Sequence, residues 1–179
     1  MNQEAFKTDT IITVCPTCSR MLAEEYALKG IKVMDAMEFL NEVSNFQLLT
    51  SNIQTRTAYH QPCHSAGTKA PEIIKGFLKA NTDYQEIDDV CCGGGGLFTF
   101  KYPELSDLIG KVRVDSLRDS LITQSPNPPI TQLVTNCPGC MMQLEYLLSV
   151  GKYDVKVRHI LNLIKAAYKT DPPAPHTHK

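Results

Sequence analysis

Residues 131–164 read TQLVTNCPGCMMQLEYLLSVGKYDVKVRHILNLI, and this stretch decides the fold. A short β-prone run ends at Cys137, Pro138 follows, and a helical pattern begins at 139–149. Proline suits the first turn of a helix, where its missing N–H is not needed. A second strand-like run, VKV at 155–157, precedes a second helical pattern at 159–168. The unit is strand, C-P-x-C, helix, strand, helix. Residues 10–40, TIITVCPTCSRMLAEEYALKGIKVMDAMEFL, repeat it. Cys15 matches Cys137 and Cys18 matches Cys140; after a two-residue insertion, Lys32 and Val33 match Lys156 and Val157. Internal similarity of this kind points to two homologous lobes.

The rest of the pattern fits the same plan. Strands are expected at 10–15, 31–35, 55–63, 84–88 and 131–136, and helices at 17–29, 36–43, 71–80 and 103–121. The last of these begins at Pro103 and carries Leu105, Leu108, Ile109, Val112 and Leu117 at near-helical spacing. Strands alternating with helices require crossover connections, so the expected class is α/β, with Rossmann-like, largely parallel sheet lobes. The two lobes are related by a pseudo-twofold repeat, and the first is incomplete. Residues 1–53 hold the closing part of one repeat, 54–169 a complete second one, and 170–179 a disordered tail. His176 and His178 in that tail read as bystanders, and SPNPP at 125–129 as a proline-rich loop.

The totals narrow the function. The 179 residues are 42% hydrophobic and 21% charged, with a formal net charge of −1, so nucleic acid is not an expected partner. No apolar run approaches the roughly 20 residues that span a bilayer, so no direct membrane insertion is expected. The start, MNQEAFKTDT, lacks the basic and apolar regions of a signal peptide, which favours the cytoplasm. Seven cysteines stand at 15, 18, 63, 91, 92, 137 and 140. An odd, clustered set in such a chain argues for metal or redox chemistry over a disulfide framework.

Both C-P-x-C units place their thiols at a helix N-terminus, where free N–H groups and the helix dipole favour thiolate. A thioredoxin-type dithiol would use one such unit and leave Cys63, Cys91 and Cys92 idle. Cys63 lies in YHQPCHSAG, also between a strand and a helix. His60 and His64 flank it; they read as loop residues satisfied by backbone, against a functional alternative as ligand, proton donor or hydrogen-bond partner to cluster sulfur. After Cys91 and Cys92 come four glycines, 93–96. Their backbone can turn N–H groups toward an anion, which makes Gly93, Gly94 and Gly95 candidate cofactor-binding positions. Phosphate is the rival anion, but the spacing matches neither the Walker A nor the dinucleotide pattern. Cys63, Cys91, Cys92, Cys137 and Cys140 should converge from three strand-to-helix loops on the carboxyl edge of a parallel sheet, where such folds hold ligands. Zinc needs four ligands and no vicinal pair. A cluster of several irons can use five thiolates, because one sulfur can bridge.

The order Cys…Cys-Cys-Gly…Cys-x-x-Cys, with CCGGGGLFTFKYPELS at 91–106 and NCPGCMMQL at 136–144, resembles the CCG (cysteine-rich) domain family. The resemblance runs from about Ile11 to Ala167. That family includes heterodisulfide reductase B-type subunits and the iron–sulfur subunits of glycolate oxidase, lactate-utilisation and anaerobic glycerol-3-phosphate dehydrogenase systems. The resemblance implies that Cys63, Cys91, Cys92, Cys137 and Cys140 hold a [4Fe–4S] cluster, of the non-cubane type found in heterodisulfide reductase. Cys15 and Cys18 match the closing pair of a preceding motif and form a secondary, partial site. The implied function is an iron–sulfur subunit of a cytoplasmic oxidoreductase complex. It would relay electrons between a flavin dehydrogenase of 2-hydroxy-acid type and a quinone or disulfide acceptor, with disulfide reduction at the cluster as an option. The implied partners are a flavoprotein and a ferredoxin-like chain, and membrane association would come only through them. No catalytic residue is assigned. The first motif lacks its opening cysteine and its CCG, so the missing half is expected on another polypeptide, or the chain is a fragment. The alternatives are a structural zinc-binding module and a metal-free dithiol oxidoreductase.

Overall fold

The computed structural model describes residues 8–26, 28–44, 53–121 and 128–170. The expected disordered tail beyond 170, with His176 and His178, lies outside the described residues, as does most of the proline-rich loop. Strand β1 (Thr10–Thr13) leads through Cys15 into α1 (Pro16–Arg20), which runs on as a π-helical turn over Met21–Glu25. Strand β2 (Lys32–Asp35) and α2 (Ala36–Val43) follow. Then come β3 (Ile53–Tyr59), a 3-10 turn at Cys63–Ser65, α3 (Ala70–Asn81) and β4 (Thr82–Gln85). A short α4 (Phe98–Lys101) precedes the long α5 (Pro103–Leu121). The chain closes with β5 (Gln132–Thr135), α6 (Pro138–Val150), β6 (Lys156–His159) and α7 (Ile160–Thr170).

All described strand pairs are parallel, in a two-stranded sheet β1-β2 and a four-stranded sheet β4-β3-β5-β6. The α/β class read from the sequence is therefore the observed one. The internal repeat reaches down to register. Thr10 pairs with Lys32 and Thr13 with Asp35; Gln132 pairs with Lys156 and Thr135 with His159. These are equivalent positions once Cys15 is laid on Cys137 and the two-residue insertion is allowed for. The helix caps repeat too. Asp35 Oδ1 accepts from the Met37 N–H at 2.8 Å, and His159 Nδ1 accepts from the Leu161 N–H at 3.3 Å.

Strand alternation sends successive side chains to opposite faces. Tyr59 and Val134 pack with Ile74, Phe77 and Leu163 on the α3/α7 face, joined by Met37 of α2. Ala58 and Leu133 pack with Leu117, Leu144 and Leu148 on the α5/α6 face, together with Cys92, Cys137 and Cys140. The four-stranded sheet is thus covered on both sides, and the cysteines belong to one of its two cores.

Helix α5 has the expected bounds but does not bury the expected face. Leu117 is inside, while Leu105, Leu108 and Val112 are exposed. The buried positions are Ser106, Gly110, Arg113, Leu117 and Leu121. Over the first turns only small residues fit the inner stripe, because α6 and the 91–96 loop lie hard against it: an added Cβ at Gly110 would stand 2.6 Å from Leu147 Cδ1 and 3.3 Å from the Cys92 carbonyl. The displaced apolar side chains form an outward run with Leu97 and Phe100, the latter 82% exposed.

Asn136, one residue before Cys137, ties the two sheets together. Its Oδ1 accepts from the Tyr59 hydroxyl at 2.9 Å, and its Nδ2 donates to Asp35 Oδ2 and Ser65 Oγ, both at 3.4 Å. Burial raises the Asp35 carboxyl above its ordinary value, while the Met37 N–H and Asn136 oppose that rise. Asn136→Leu should cost about 2–3 kcal/mol, since it strands three buried partners, Tyr59, Asp35 and Ser65, read as a lower urea midpoint. Part of the lost contact is to ionised Asp35, whose folded value would climb further. The deficit should therefore be larger at pH 7 than near about pH 3, where the carboxyl is protonated in both states.

Candidate metal centre

The strand order creates a crevice. The chain leaves β3 for α3 on one face of the sheet and leaves its neighbour β5 for α6 on the other. Loops that part in this way open a cleft at the carboxyl ends of the two strands. Cys63 follows β3, Cys91 and Cys92 follow β4, and Cys137 and Cys140 follow β5. Cys15 and Cys18 follow β1 in the smaller sheet. Every cysteine of the chain therefore stands at the carboxyl end of a strand.

The sulfurs form one run. Cys63 interacts with the charges of Cys91 and Cys92. Cys92 contacts Cys140, Cys140 contacts Cys137, and Cys137 contacts Cys15, beside Cys18. Cys15 and Cys18 thus adjoin the five-cysteine set instead of standing apart from it. Without metal, these neighbours share few protons. Hydrogen bonds from Cys140 and Cys15, then the backbone N–H groups of Cys140 and Gly139, hold Cys137 far below the usual thiol range. Those N–H groups belong to the open start of α6. The Cys140 contact, with help from His60, brings Cys92 down to about 5. Cys140 and Cys15 are both driven up, chiefly by their contact with Cys137. Burial, then the charges of Cys91 and Cys92, raise Cys63.

This donor set fits a multinuclear cation. Cys92 is 1% exposed and Cys137 and Cys140 are each 5% exposed, yet all seven cysteines are free thiols. Three buried sulfurs at one corner, two of them drawn toward thiolate, call for positive charge. Cys18, Cys63 and Cys91 are exposed at the rim. In the metal-free chain these three should react with iodoacetamide at least about tenfold faster than Cys92, Cys137 and Cys140. Peptide mass spectrometry after timed quenching reads the difference.

The vicinal pair bends as its chemistry requires. The Gly93 N–H turns back on Cys91 Sγ at 3.4 Å, at a φ of +78°. The glycines also have neighbours that the sequence could not name. An added Cβ would lie 2.4 Å from the Ser106 carbonyl at Gly93 and 2.8 Å from Gln143 Cβ at Gly94. The loop is wedged between α5 and α6. At Gly95 the nearest atom would be Phe98 Cβ, at 3.4 Å. Behind the loop, buried Arg113 donates to the Asp88 carbonyl at 2.7 Å and feels the charge of Cys92. Burial lowers that guanidinium, and Asp89 is the first group to oppose it.

The two histidines part company. His64 Nδ1 is hydrogen-bonded to Thr17 Oγ1 at 2.8 Å, a contact between α1 and the turn after Cys63. It lines a cleft of about 230 Å³ with Pro16, Arg20, Asp35 and Glu38. His60 is 1% exposed, and neither ring nitrogen has a hydrogen-bond partner among the described residues. The expected backbone-satisfied His60 is therefore not found. A donor atom of His60 and the sulfurs of Cys92 and Cys140 lie within 4.8 Å of one another. Strand alternation was the signal for it: His60 shares the parity of Ala58, which faces the cysteine side of the sheet.

Residues 57–145 match the cysteine-rich (CCG) domain family. The chain is 31% identical to the B subunit of a fumarate reductase (CoM/CoB) from Methanothermobacter marburgensis, over 91% of this chain and 33% of the relative. It is 30% identical to an iron–sulfur protein of Methanococcus maripaludis, over 87% of this chain and 32% of the relative. It is 29% identical to lactate utilization protein A of Oceanobacillus iheyensis, over 74% and 53% respectively. The chain spans about a third of the length of the first two relatives.

Proposed function

The chain belongs to the cysteine-rich CCG domain family through residues 57–145, and on that premise we propose that it is an iron–sulfur subunit of an oxidoreductase complex. One observation carries the reading: Cys63, Cys91, Cys92, Cys137 and Cys140 all follow the carboxyl ends of three adjacent parallel strands, with three of the sulfurs buried. These five hold a [4Fe–4S] cluster of non-cubane type, and Cys15 and Cys18 stand beside it. Such a cluster takes up and releases single electrons at a potential set by its charge, its burial and the hydrogen bonds to its sulfurs.

The chain's own residues prepare that chemistry. Cys92 and Cys137 are drawn toward thiolate, and binding metal would take the proton off Cys140. Leu117 and Leu144 keep water from the inner sulfurs. The Gly93 N–H already donates to Cys91 Sγ, which supports a role for the N–H groups of Gly93, Gly94 and Gly95 as donors to cluster sulfur. Exposed Cys63 and Cys91 leave the outer side open to a thiol or disulfide substrate. The subunit relays electrons between a flavoprotein of 2-hydroxy-acid dehydrogenase type and a quinone or disulfide acceptor, with a ferredoxin-like chain as a further partner. The outward run of Leu97, Phe100, Leu105 and Leu108 begins five residues after Cys92, so an electron-donating subunit seated on it lies beside the centre. Among the described residues no helix is long and apolar enough to cross a membrane.

A second reading has its own observation. A donor atom of His60 and the sulfurs of Cys92 and Cys140 lie close enough to share an ion, and Cys137, in contact with Cys140, would complete a Cys₃His set of structural-zinc type. An anaerobic preparation separates the two. Metal and acid-labile sulfide analysis with EPR should find several irons and matching sulfide per chain. One zinc and no sulfide would replace the iron–sulfur reading with a structural site, and no metal at all would leave dithiol chemistry.

A further inference from the structure

Strand β3 ends at Tyr59, but its hydrogen-bond ladder runs one residue further. The His60 N–H donates to the Val134 carbonyl at 2.8 Å. That bond locks the backbone at 60 to the strand that delivers Cys137. Tyr59 goes to the α3 face and His60, one residue on, to the cysteine face. The ring is sealed in at 1% exposure. Neither nitrogen makes a hydrogen bond of full geometry among the described residues, although the ring lies close enough to Cys92 to lower its thiol. Leaving buried polar atoms unpaired costs about 1–3 kcal/mol each, and native interiors seldom tolerate it without an ion or group to pair with. The groups within reach are the sulfurs of Cys92 and Cys140.

We infer that His60 is a hydrogen-bond donor to sulfur of the bound cluster, a positioning residue that raises its reduction potential and is not one of its ligands. The inference rests on the iron–sulfur reading above. Five thiolates already complete the ligand set, and a thiolate binds iron in preference to a neutral imidazole beside it. An N–H aimed at sulfur withdraws electron density and favours the reduced, more negative cluster. One N–H is enough, and either tautomer of the neutral ring has one.

The test compares wild type, His60→Leu and His60→Gln, each reconstituted anaerobically. Iron and sulfide content should be the same in all three. At the wild-type midpoint, His60→Leu should show at least a tenfold lower reduced-to-oxidised ratio in an EPR-monitored titration, about 59 mV for a one-electron couple. His60→Gln keeps an N–H and should recover part of that shift. An unchanged midpoint in His60→Leu overturns the inference. So does loss of iron from both variants with the fold intact by circular dichroism, because the ring would then be a ligand. Should a variant fail to fold, wild-type protein labelled with ¹⁵N-histidine decides. A weak histidine-nitrogen coupling in pulsed EPR is the expected result; a strong coupling or none overturns it. A wild-type preparation with zinc or no metal sinks the iron–sulfur reading itself and this inference with it, whereas the other negative results sink this inference alone.

Discussion

Cys92→Ser is expected to empty the centre. Cys92 is the most buried of the seven cysteines, and its sulfur lies between Cys140 and the His60 ring. It is also one of the thiols already drawn toward the anion. Serine keeps the volume but binds iron poorly, and its hydroxyl would sit among Leu117, Leu133 and Leu144. Iron and sulfide per chain should fall below about a tenth of wild type, with the visible absorption and EPR signal lost together. Cys91→Ser, one residue earlier on the same bend, should do likewise although that side chain is exposed. The metal-free fold should barely notice either change. If iron content and spectrum survive both substitutions, the five-ligand centre is wrong.

Gly93→Ala is expected to produce the largest loss of stability among changes that touch no sulfur. Its φ of +78° costs an L-residue about 1–2 kcal/mol. The added methyl would also meet the Ser106 carbonyl at 2.4 Å and the Gly110 N–H nitrogen at 3.0 Å, both backbone atoms of α5. Overpacking of that kind costs about 1–3 kcal/mol more. The sum, about 2–5 kcal/mol, should lower the melting temperature of the metal-free chain by about 10 °C. Gly96→Ala is the control. Gly96 has a φ of +49° and open space around its Cβ position, so it should pay only the backbone cost. Equal melting temperatures for the two variants would mean that α5 does not seat on the loop after Cys92.

The two predictions show where sequence was a good guide and where it was not. The alternation of strand and helix was legible because period and turn residues are local. So was the repeat, down to the equivalence of Cys15 with Cys137, and its strand registers agree residue for residue. The short helix at Phe98–Lys101 was not legible, and β4 lies at Thr82–Gln85 instead of 84–88. Helix α5 is the clearest failure of pattern. Its bounds follow from Pro103 and its periodicity, but Leu105, Leu108 and Val112 face outward while Leu117 and Leu121 are buried. A helix buries the face that its neighbours can reach, and over its first turns the neighbours, the glycine loop and Leu147, admit only Ser106 and Gly110.

The centre divides in the same way. That the carboxyl edge of a parallel sheet would gather the cysteines followed from their spacing and the crossover rule. The sequence read the glycines as room for an anion. Packing assigns two of them a second duty, since α5 and α6 occupy the space where side chains would be. The sequence read His60 and His64 alike. Tertiary structure separates them, one bonded to Thr17 and one sealed against Cys92 and Cys140. The sequence by itself determined the α/β plan, the repeat and the set of thiols, because covalent order and local periodicity carry that information. Only the tertiary structure decided which helix face is buried, which histidine meets sulfur and which thiols are buried against one another. Those depend on distances between segments far apart in the chain, and no local pattern encodes them.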